Sequence, residues 1–237
     1  HEIRTPLNAI NGLTHLLLSE DPRPDQIESL DLLKFSGDNL LSLINDILDI
    51  SKIESGKLKL EAQTFDLPYL LENIRRSLEY KATESLVSIE TSYDDRLPKI
   101  FVGDVTRVTQ IIYNLAGNAI KFTEDGKVRI DIEYVSSKGK AYTFKVSVTD
   151  EGIGISPENQ KKIFKSFEQA DSSTTRKYGG TGLGLYISKK LLKMMGTDIN
   201  LESTLGKGSK FYFNLTLKEG SLEVQEREKL DIKDIDF

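Results

Sequence analysis

Two apolar stripes separated by a pair of prolines constrain what the first 60 residues can build. Ile3, Leu7, Ile10, Leu13 and Leu17 recur at helical spacing. Leu30, Leu33, Leu40, Ile44 and Ile47 do so again, flanked by Leu41 and Leu48. The second set is heptad-like, with neighbours three and four apart. Between the stripes, Asp21-Pro22-Arg23-Pro24 breaks the pattern, because proline lacks an N–H donor and restricts the residue before it. Ser55-Gly56 supplies a stop. Two helices with a short connection make a helical hairpin, whose core is too small to stand alone. Two hairpins pairing their stripes into a dimeric four-helix bundle would complete it. Packing on the rest of the same chain would do so equally, and the stripes alone leave both routes open.

Residues 65–218 read differently. Helix-like stretches fall near 67–84, 104–121, 158–168 and 183–195. Strand-like stretches are Val87–Tyr93, Lys127–Val135, Tyr142–Thr149, Asp198–Ser203 and Lys210–Leu217, many alternating with β-branched and aromatic residues. Such a mixture of helices and hairpin-like strands predicts an α+β layer sandwich. Gly126-Lys127 and Lys138-Gly139 mark expected turns. No repeat of 20–50 residues is visible. The expected division is a hairpin over 1–60, a second domain over 61–218 and an acidic linker or truncated tail over 219–237.

Composition excludes several classes. With 237 residues, 38% hydrophobic and 29% charged, the chain is a globular one and not a mainly disordered one. No run approaches the roughly 18 apolar residues that span a bilayer, so no membrane contact is expected within it. There are no cysteines, which removes disulfides, thiol catalysis and Cys-based zinc sites. His1 and His15 are too few for a multi-histidine metal centre. Residues 219–237 hold seven acidic and three basic side chains, so of the net charge of −5 the remaining 218 residues carry only −1. That balance gives no broad basic face for nucleic acid. The chain opens on His, with no signal-peptide pattern, and is expected to be a piece of a longer protein.

Two glycine runs carry a candidate chemistry. Asp150-Glu151-Gly152-Ile153-Gly154-Ile155 follows an apolar strand pattern, and Gly179-Gly180-Thr181-Gly182-Leu183-Gly184-Leu185 opens an apolar helix. Glycine permits close backbone approach, and a glycine run at a helix start offers free N–H groups to phosphate oxygens. Neither run fits the P-loop or the Rossmann pattern, and either alone also reads as a mere turn. In Asn114-Leu115-Ala116-Gly117-Asn118-Ala119-Ile120-Lys121-Phe122-Thr123, the residues Asn114, Asn118 and Lys121 share one helix face. Two neutral amide oxygens and a cation suit Mg²⁺ and phosphate, although a polar face in solvent has the same pattern.

The combination resembles the kinase core of a two-component system. His1-Glu2-Ile3-Arg4-Thr5-Pro6-Leu7, the Asn114 to Thr123 stretch, Asp150–Ile155, Phe164–Phe167 and Gly179–Leu185 look like the H, N, G1, F and G2 boxes of the sensor histidine kinases, in order. Gly206-Lys207-Gly208 is similar to a further glycine box. The resemblance covers about residues 1–218. Phe167-Glu168-Gln169-Ala170-Asp171 and Thr175-Arg176-Lys177-Tyr178-Gly179-Gly180 look most like hybrid-type members.

That resemblance implies a dimerisation and phosphoacceptor hairpin, forming a four-helix bundle in a homodimer, followed by a Bergerat-type α/β sandwich that binds ATP and Mg²⁺. It implies autophosphorylation of His1, whose imidazole has an unperturbed pKa of about 6.5 and so offers a neutral nitrogen at pH 7. It then implies transfer to an aspartate of a response-regulator receiver domain. Glu2 would orient the imidazole or take its proton, and Thr5 would position water in a reverse phosphatase reaction. Pro6 would bend or loosen the helix beside His1. Asn118 would be the main Mg²⁺ ligand, with Asn114 supporting it and Lys121 on phosphate. Asp150 would accept from the adenine amino group, with Gly152 and Gly154 letting backbone approach the nucleotide. Thr181, Gly182, Leu183 and Gly184 would line the phosphates. Residues 165–181 would form a lid, anchored by Phe164 and Phe167, with Arg176 on the γ-phosphate. The implied location of this portion is cytoplasmic, with any membrane anchor upstream. DNA gyrase and the heat-shock chaperone ATPases, similar in fold, carry a water-activating glutamate four residues before the asparagine; here that position is Asn114, so fast hydrolysis is not expected. A scaffold that binds nucleotide without transferring phosphate is the remaining alternative.

Overall fold

The computed structural model describes residues 2–82, 86–165 and 182–221. Its first two elements are α1 (Arg4–Ser19) and α2 (Pro24–Glu54). The connection turns at Asp21, which has φ 55°, and Pro24 opens α2 at a position whose N–H needs no helical partner. Gln26 caps α2 by accepting from Arg23 N at 3.2 Å. Gly56, at φ 65°, follows its end. The two helices run antiparallel, pinned by Arg4 Nη2 donating to Asn45 Oδ1 at 2.9 Å and Asn11 Nδ2 donating to Asp38 Oδ1 at 3.0 Å. Pro6 lies in the first turn of α1 as described.

The remaining elements form one sheet and its helical cover. In chain order they are β1 (Gln63–Asp66), α3 (Leu67–Lys81), β2 (Leu86–Tyr93), β3 (Ile100–Gly103), α4 (Val105–Lys121), β4 (Asp125–Lys138), β5 (Ala141–Asp150), α5 (Pro157–Gln160), α6 (Gly184–Met194), β6 (Asn200–Ser203) and β7 (Ser209–Glu219). The sheet order is β1-β3-β7-β5-β4-β2, with β6 paired to the other end of β7's outer edge. The β4–β5 hairpin turns at Gly139, as expected. Gly126 does not turn the chain: it sits inside β4, opposite Val87 of β2. That pairing is parallel, not hairpin-like, because β3 and α4 intervene between the two strands. The helix expected over 158–168 is only the four residues of α5 followed by turns to 164, and its end lies outside the described residues.

Helices α3, α4 and α6 cover one face of the sheet. Val108, Ile111, Ile112, Leu115, Ala116 and Ala119 of α4 are buried against Val128, Ile130, Phe144, Val146 and Val148. Caps fix where the helices begin. Asp66 accepts from Tyr69 N at 2.8 Å, and Asp104 accepts from Arg107 N and Glu61 N at 3.0 Å each. The hairpin meets this domain through the C-terminal half of α2, where Leu43, Ile50 and Ile53 pack on the core. Most of the apolar stripe of both hairpin helices stays exposed, including Ile10, Leu13, Leu33 and Leu40. The hairpin is thus partly packed on its own chain and partly unpartnered. No helix among the described residues is long and apolar enough to cross a membrane.

Candidate functional site

Helix α4 carries the polar ridge. Its apolar positions face the sheet, which leaves Asn114, Asn118 and Lys121 half-buried along one flank. Asn114 Nδ2 faces the start of α6, donating to Gly184 O at 3.4 Å and Ser188 Oγ at 3.5 Å. One turn beyond Asn118 the helix ends at Phe122, whose carbonyl accepts from Ile153 N at 3.1 Å. The start of α6 therefore touches α4 one turn before Asn118, and the loop after β5 touches it one turn after. Asn118 lies between them on the same ridge. Lys121 is half-buried, its Nζ 5.0 Å from the centroid of the Phe122 ring. Desolvation pushes its ammonium below the ordinary lysine value, a penalty that a nearby anion would offset.

Asp150 ends β5 with a buried carboxyl group. Its Oδ1 accepts from Gly152 N at 2.9 Å and Ser209 N at 3.2 Å. Burial raises its pKa, and those two backbone N–H groups oppose the rise. Among the described residues both bonds go to Oδ1, which leaves Oδ2 to a ligand donor. The loop that follows is stitched on both sides. Gly206 N donates to Ile153 O at 2.7 Å, Ile155 N donates to Ser203 Oγ at 2.8 Å, and Gln160 Nε2 donates to Ile155 O at 2.8 Å.

The glycines of this loop are also demanded by the fold itself. A Cβ at Gly152 would sit 2.3 Å from Phe122 O. At Gly154, which has φ 65°, it would sit 2.0 Å from Thr204 O. Both glycines are required by the protein's own backbone, which holds the loop rigid between α4 and the β6–β7 turn.

At the other loop, Gly182 has φ 70° and the Leu183 side chain is fully buried, anchoring the entry to α6. No acidic side chain occupies the first turn of α6, which suits the positive end of the helix dipole to an anion. Glu2 and Thr5 are exposed, before and within the first turn of α1. His1, Phe167, Arg176 and Thr181 lie outside the described residues.

Comparison with known proteins bears on this arrangement. The His Kinase A (phospho-acceptor) domain model matches residues 1–56, and the model for Histidine kinase-, DNA gyrase B-, and HSP90-like ATPase matches residues 103–219. The chain belongs to the sensor histidine kinases. Signal transduction histidine-protein kinase BarA of Escherichia coli (strain K12) is 41% identical over 217 residues, covering 92% of this chain and 24% of BarA. Hybrid signal transduction histidine kinase K of Dictyostelium discoideum is 42% identical over 230 residues, covering 93% of this chain and 19% of that kinase. The crystal structure of full-length ShkA in complex with AMPPNP superposes with a TM-score of 0.74 at 33% identity, covering 93% of this chain and 45% of that one. The kinase core described here thus spans about a quarter of the length of BarA.

As a histidine kinase core, the chain carries a phosphoacceptor hairpin followed by an ATP-binding module of mixed α/β sheet. Two contributors to this core are absent from the sequence expectations. Ser209 N holds Asp150 from 59 positions away; the neighbouring Gly206-Lys207-Gly208 turn was the available signal. Asp49 joins the hairpin to α4 through Arg107 and Gln110; their charge and polarity in the sequence look like solvated helix faces.

Proposed function

We propose that this chain transfers the γ-phosphoryl group of MgATP to His1 and then passes it to an aspartate of a response-regulator receiver domain. The position of Asn118, between the start of α6 and the glycine-bordered loop after β5, both packed on α4, is the observation that supports it most. In this reading Asp150 Oδ2 accepts from the adenine amino group, and the rigid Gly152–Gly154 loop forms the wall beside it. Lys121 and the backbone N–H groups of Gly182, Leu183 and Gly184 hold the phosphates, with Thr181 and Arg176 completing that end. Burial of Lys121 favours this role, since an anion restores what desolvation removes.

Asn118 and Asn114 fit Mg²⁺ by the chemistry of their donors. Amide oxygens are hard, neutral ligands, and among the described residues no cluster of three or more His, Cys, Asp or Glu is arranged for a metal. That is the donor set of an ion held largely by phosphate oxygens and water. Bound there, Mg²⁺ supplies charge neutralisation at the phosphates. The neutral imidazole of His1 attacks the γ-phosphorus, the bond to the β–γ bridging oxygen breaks, and ADP leaves. Glu2 takes the imidazole proton. Phosphoryl transfer of this kind depends mainly on positioning and electrostatics. Transfer is favoured over hydrolysis because Asn114 stands where a water-activating carboxylate would be needed. Thr5 positions water for the reverse phosphatase reaction. The exposed hairpin stripes pair in a homodimer, and the similarity to kinases named as hybrid supports a receiver within the longer protein, with this portion in the cytoplasm.

Incubation with γ-labelled MgATP tests the reading. The wild-type chain is expected to acquire acid-labile label, and His1→Gln to acquire none while still binding nucleotide. Label retained by His1→Gln overturns the assignment. Steady ATP hydrolysis independent of His1 would favour the ATPase alternative.

A further inference from the structure

The polar contact between the hairpin and the sheet domain centres on Asp49. Its Oδ2 accepts from Arg107 Nη1 and from Gln110 Nε2, both at 2.9 Å, and Arg107 Nη1 also donates to Gln110 Oε1 at 2.7 Å. The three side chains close a ring. The Arg107 and Asp49 side chains are only 19% and 17% exposed, so water screens the pair weakly. The apolar packing of Leu43, Ile50 and Ile53 around it is non-directional and tolerates sliding. A satisfied and mostly dry polar ring does not, because displacement strands a charge without its partner. A second bond, from Tyr186 Oη to Glu54 Oε1 at 3.1 Å, ties the first turn of α6 to the end of α2.

Both ends of this ring sit on elements that the kinase reading uses. Arg107 and Gln110 occupy the first half of α4, and Asn118 lies eight residues beyond Gln110, about 12 Å along the axis. On the hairpin, the Arg4–Asn45 and Asn11–Asp38 pairs share one antiparallel offset. That offset sets Glu2 at the level of Ile47, and Asp49 lies about 3 Å farther along α2. The sheet domain is therefore clamped at the height of the acceptor end of α1.

We infer that Asp49 is a positioning residue for phosphoryl transfer, holding α4 through Arg107 and Gln110 so that the nucleotide pocket keeps a fixed pose relative to that end of the hairpin. This rests on the kinase reading above. Asp49 bonds to Arg107 and Gln110, neither of which the kinase reading assigns to nucleotide, so its loss is expected to misplace the reactants without weakening ATP binding.

The test is the initial rate of labelling from γ-labelled MgATP, measured over a range of ATP concentrations in the full chain. Asp49→Arg and Arg107→Asp are each expected to lower kcat by about tenfold or more, with KM for ATP changed by less than about twofold. The Asp49→Arg/Arg107→Asp pair is expected to recover most of the rate. An unchanged or raised kcat in the single variants overturns the inference, as does a loss carried by KM. If Asp49→Arg fails to fold, Asp49→Asn decides, with an expected fall in kcat of about threefold and the same unchanged KM. A wild-type chain that binds a fluorescent ATP analogue but takes no label would sink the kinase reading itself; a labelled wild type with a fully active Asp49→Asn would sink only the positioning role.

Discussion

In the sheet domain Phe101, Ile111, Ile112, Phe144 and Ile187 have no solvent exposure, whereas in the hairpin Leu13, Leu32 and Phe35 remain 61%, 64% and 63% exposed. Within α1 and α2 only Leu7, Thr14 and Gly37 are buried. The residue types are alike; the difference lies in what covers them. The sheet domain closes its own core by laying three helices on one face of a mixed sheet. The hairpin closes its core at one end only, where α2 meets α4 and α6, and leaves the rest of its stripe exposed. Stability in the first region is therefore a property of one chain, and in the second, on the proposed homodimer, a matter of concentration. The contrast also suits the chemistry, because the nucleotide pocket needs rigid walls while the acceptor helix must be approached.

Four variants would break or sharpen that contrast. The largest effect is expected from Phe144→Ala in the closed core. It should destabilise the sheet domain by about 3–5 kcal/mol, measured by urea unfolding, at any protein concentration. A loss below about 1 kcal/mol would mean the core is not closed. Next comes Leu33→Ser combined with Leu40→Ser on the open stripe. Their removal should weaken self-association about a hundredfold, near 0.7 kcal/mol for each of the four side chains lost per dimer, in sedimentation equilibrium, and leave unfolding of the sheet domain unchanged. An undisturbed dimer would move the contact to another face.

Gly154→Ala probes the rigid wall. The added methyl meets Thr204 O in a backbone conformation with φ 65°, so a loss of about 2 kcal/mol is expected, together with weaker nucleotide binding. Full tolerance would show that the loop is free to move. The smallest effect concerns Asp150, whose folded pKa lies above the ordinary 3.8 because of burial. The corresponding stabilisation is fully present below that ordinary value and is lost as pH rises through the raised folded pKa. Asp150→Asn should flatten this part of the stability–pH curve, and an identical curve in the variant would contradict the burial of the charge.

Much of this architecture was legible from pattern. The stripes, the proline break and the alternation in β4, β5 and β7 each follow from local geometry. The strands β1 and β3 were not, because Gln63–Asp66 is mostly polar and Ile100–Gly103 is a short apolar run without alternation, so neither shows a strand period. The parallel pairing of β2 with β4 was equally hidden, since nothing local in either strand names its partner. Among the proposed site residues, the ordered motifs pointed to Asn114, Asn118, Lys121 and Asp150. The collisions that require Gly152 and Gly154 involve backbone from Phe122 and Thr204, about 30 and 50 positions away. The Asp49–Arg107 link spans 58 positions and joins two residues that each look like ordinary surface charge.

The central claim is that the α4 ridge and the two glycine-bordered loops bound a single nucleotide pocket. Backbone amide NMR during titration with a non-hydrolysable ATP analogue and Mg²⁺ addresses it directly. The amides of Gly152, Gly154, Gly182 and Gly184 and the side-chain amide of Asn118 are expected to shift together along one binding curve. Shifts confined to one loop, or two curves with different midpoints, would contradict it.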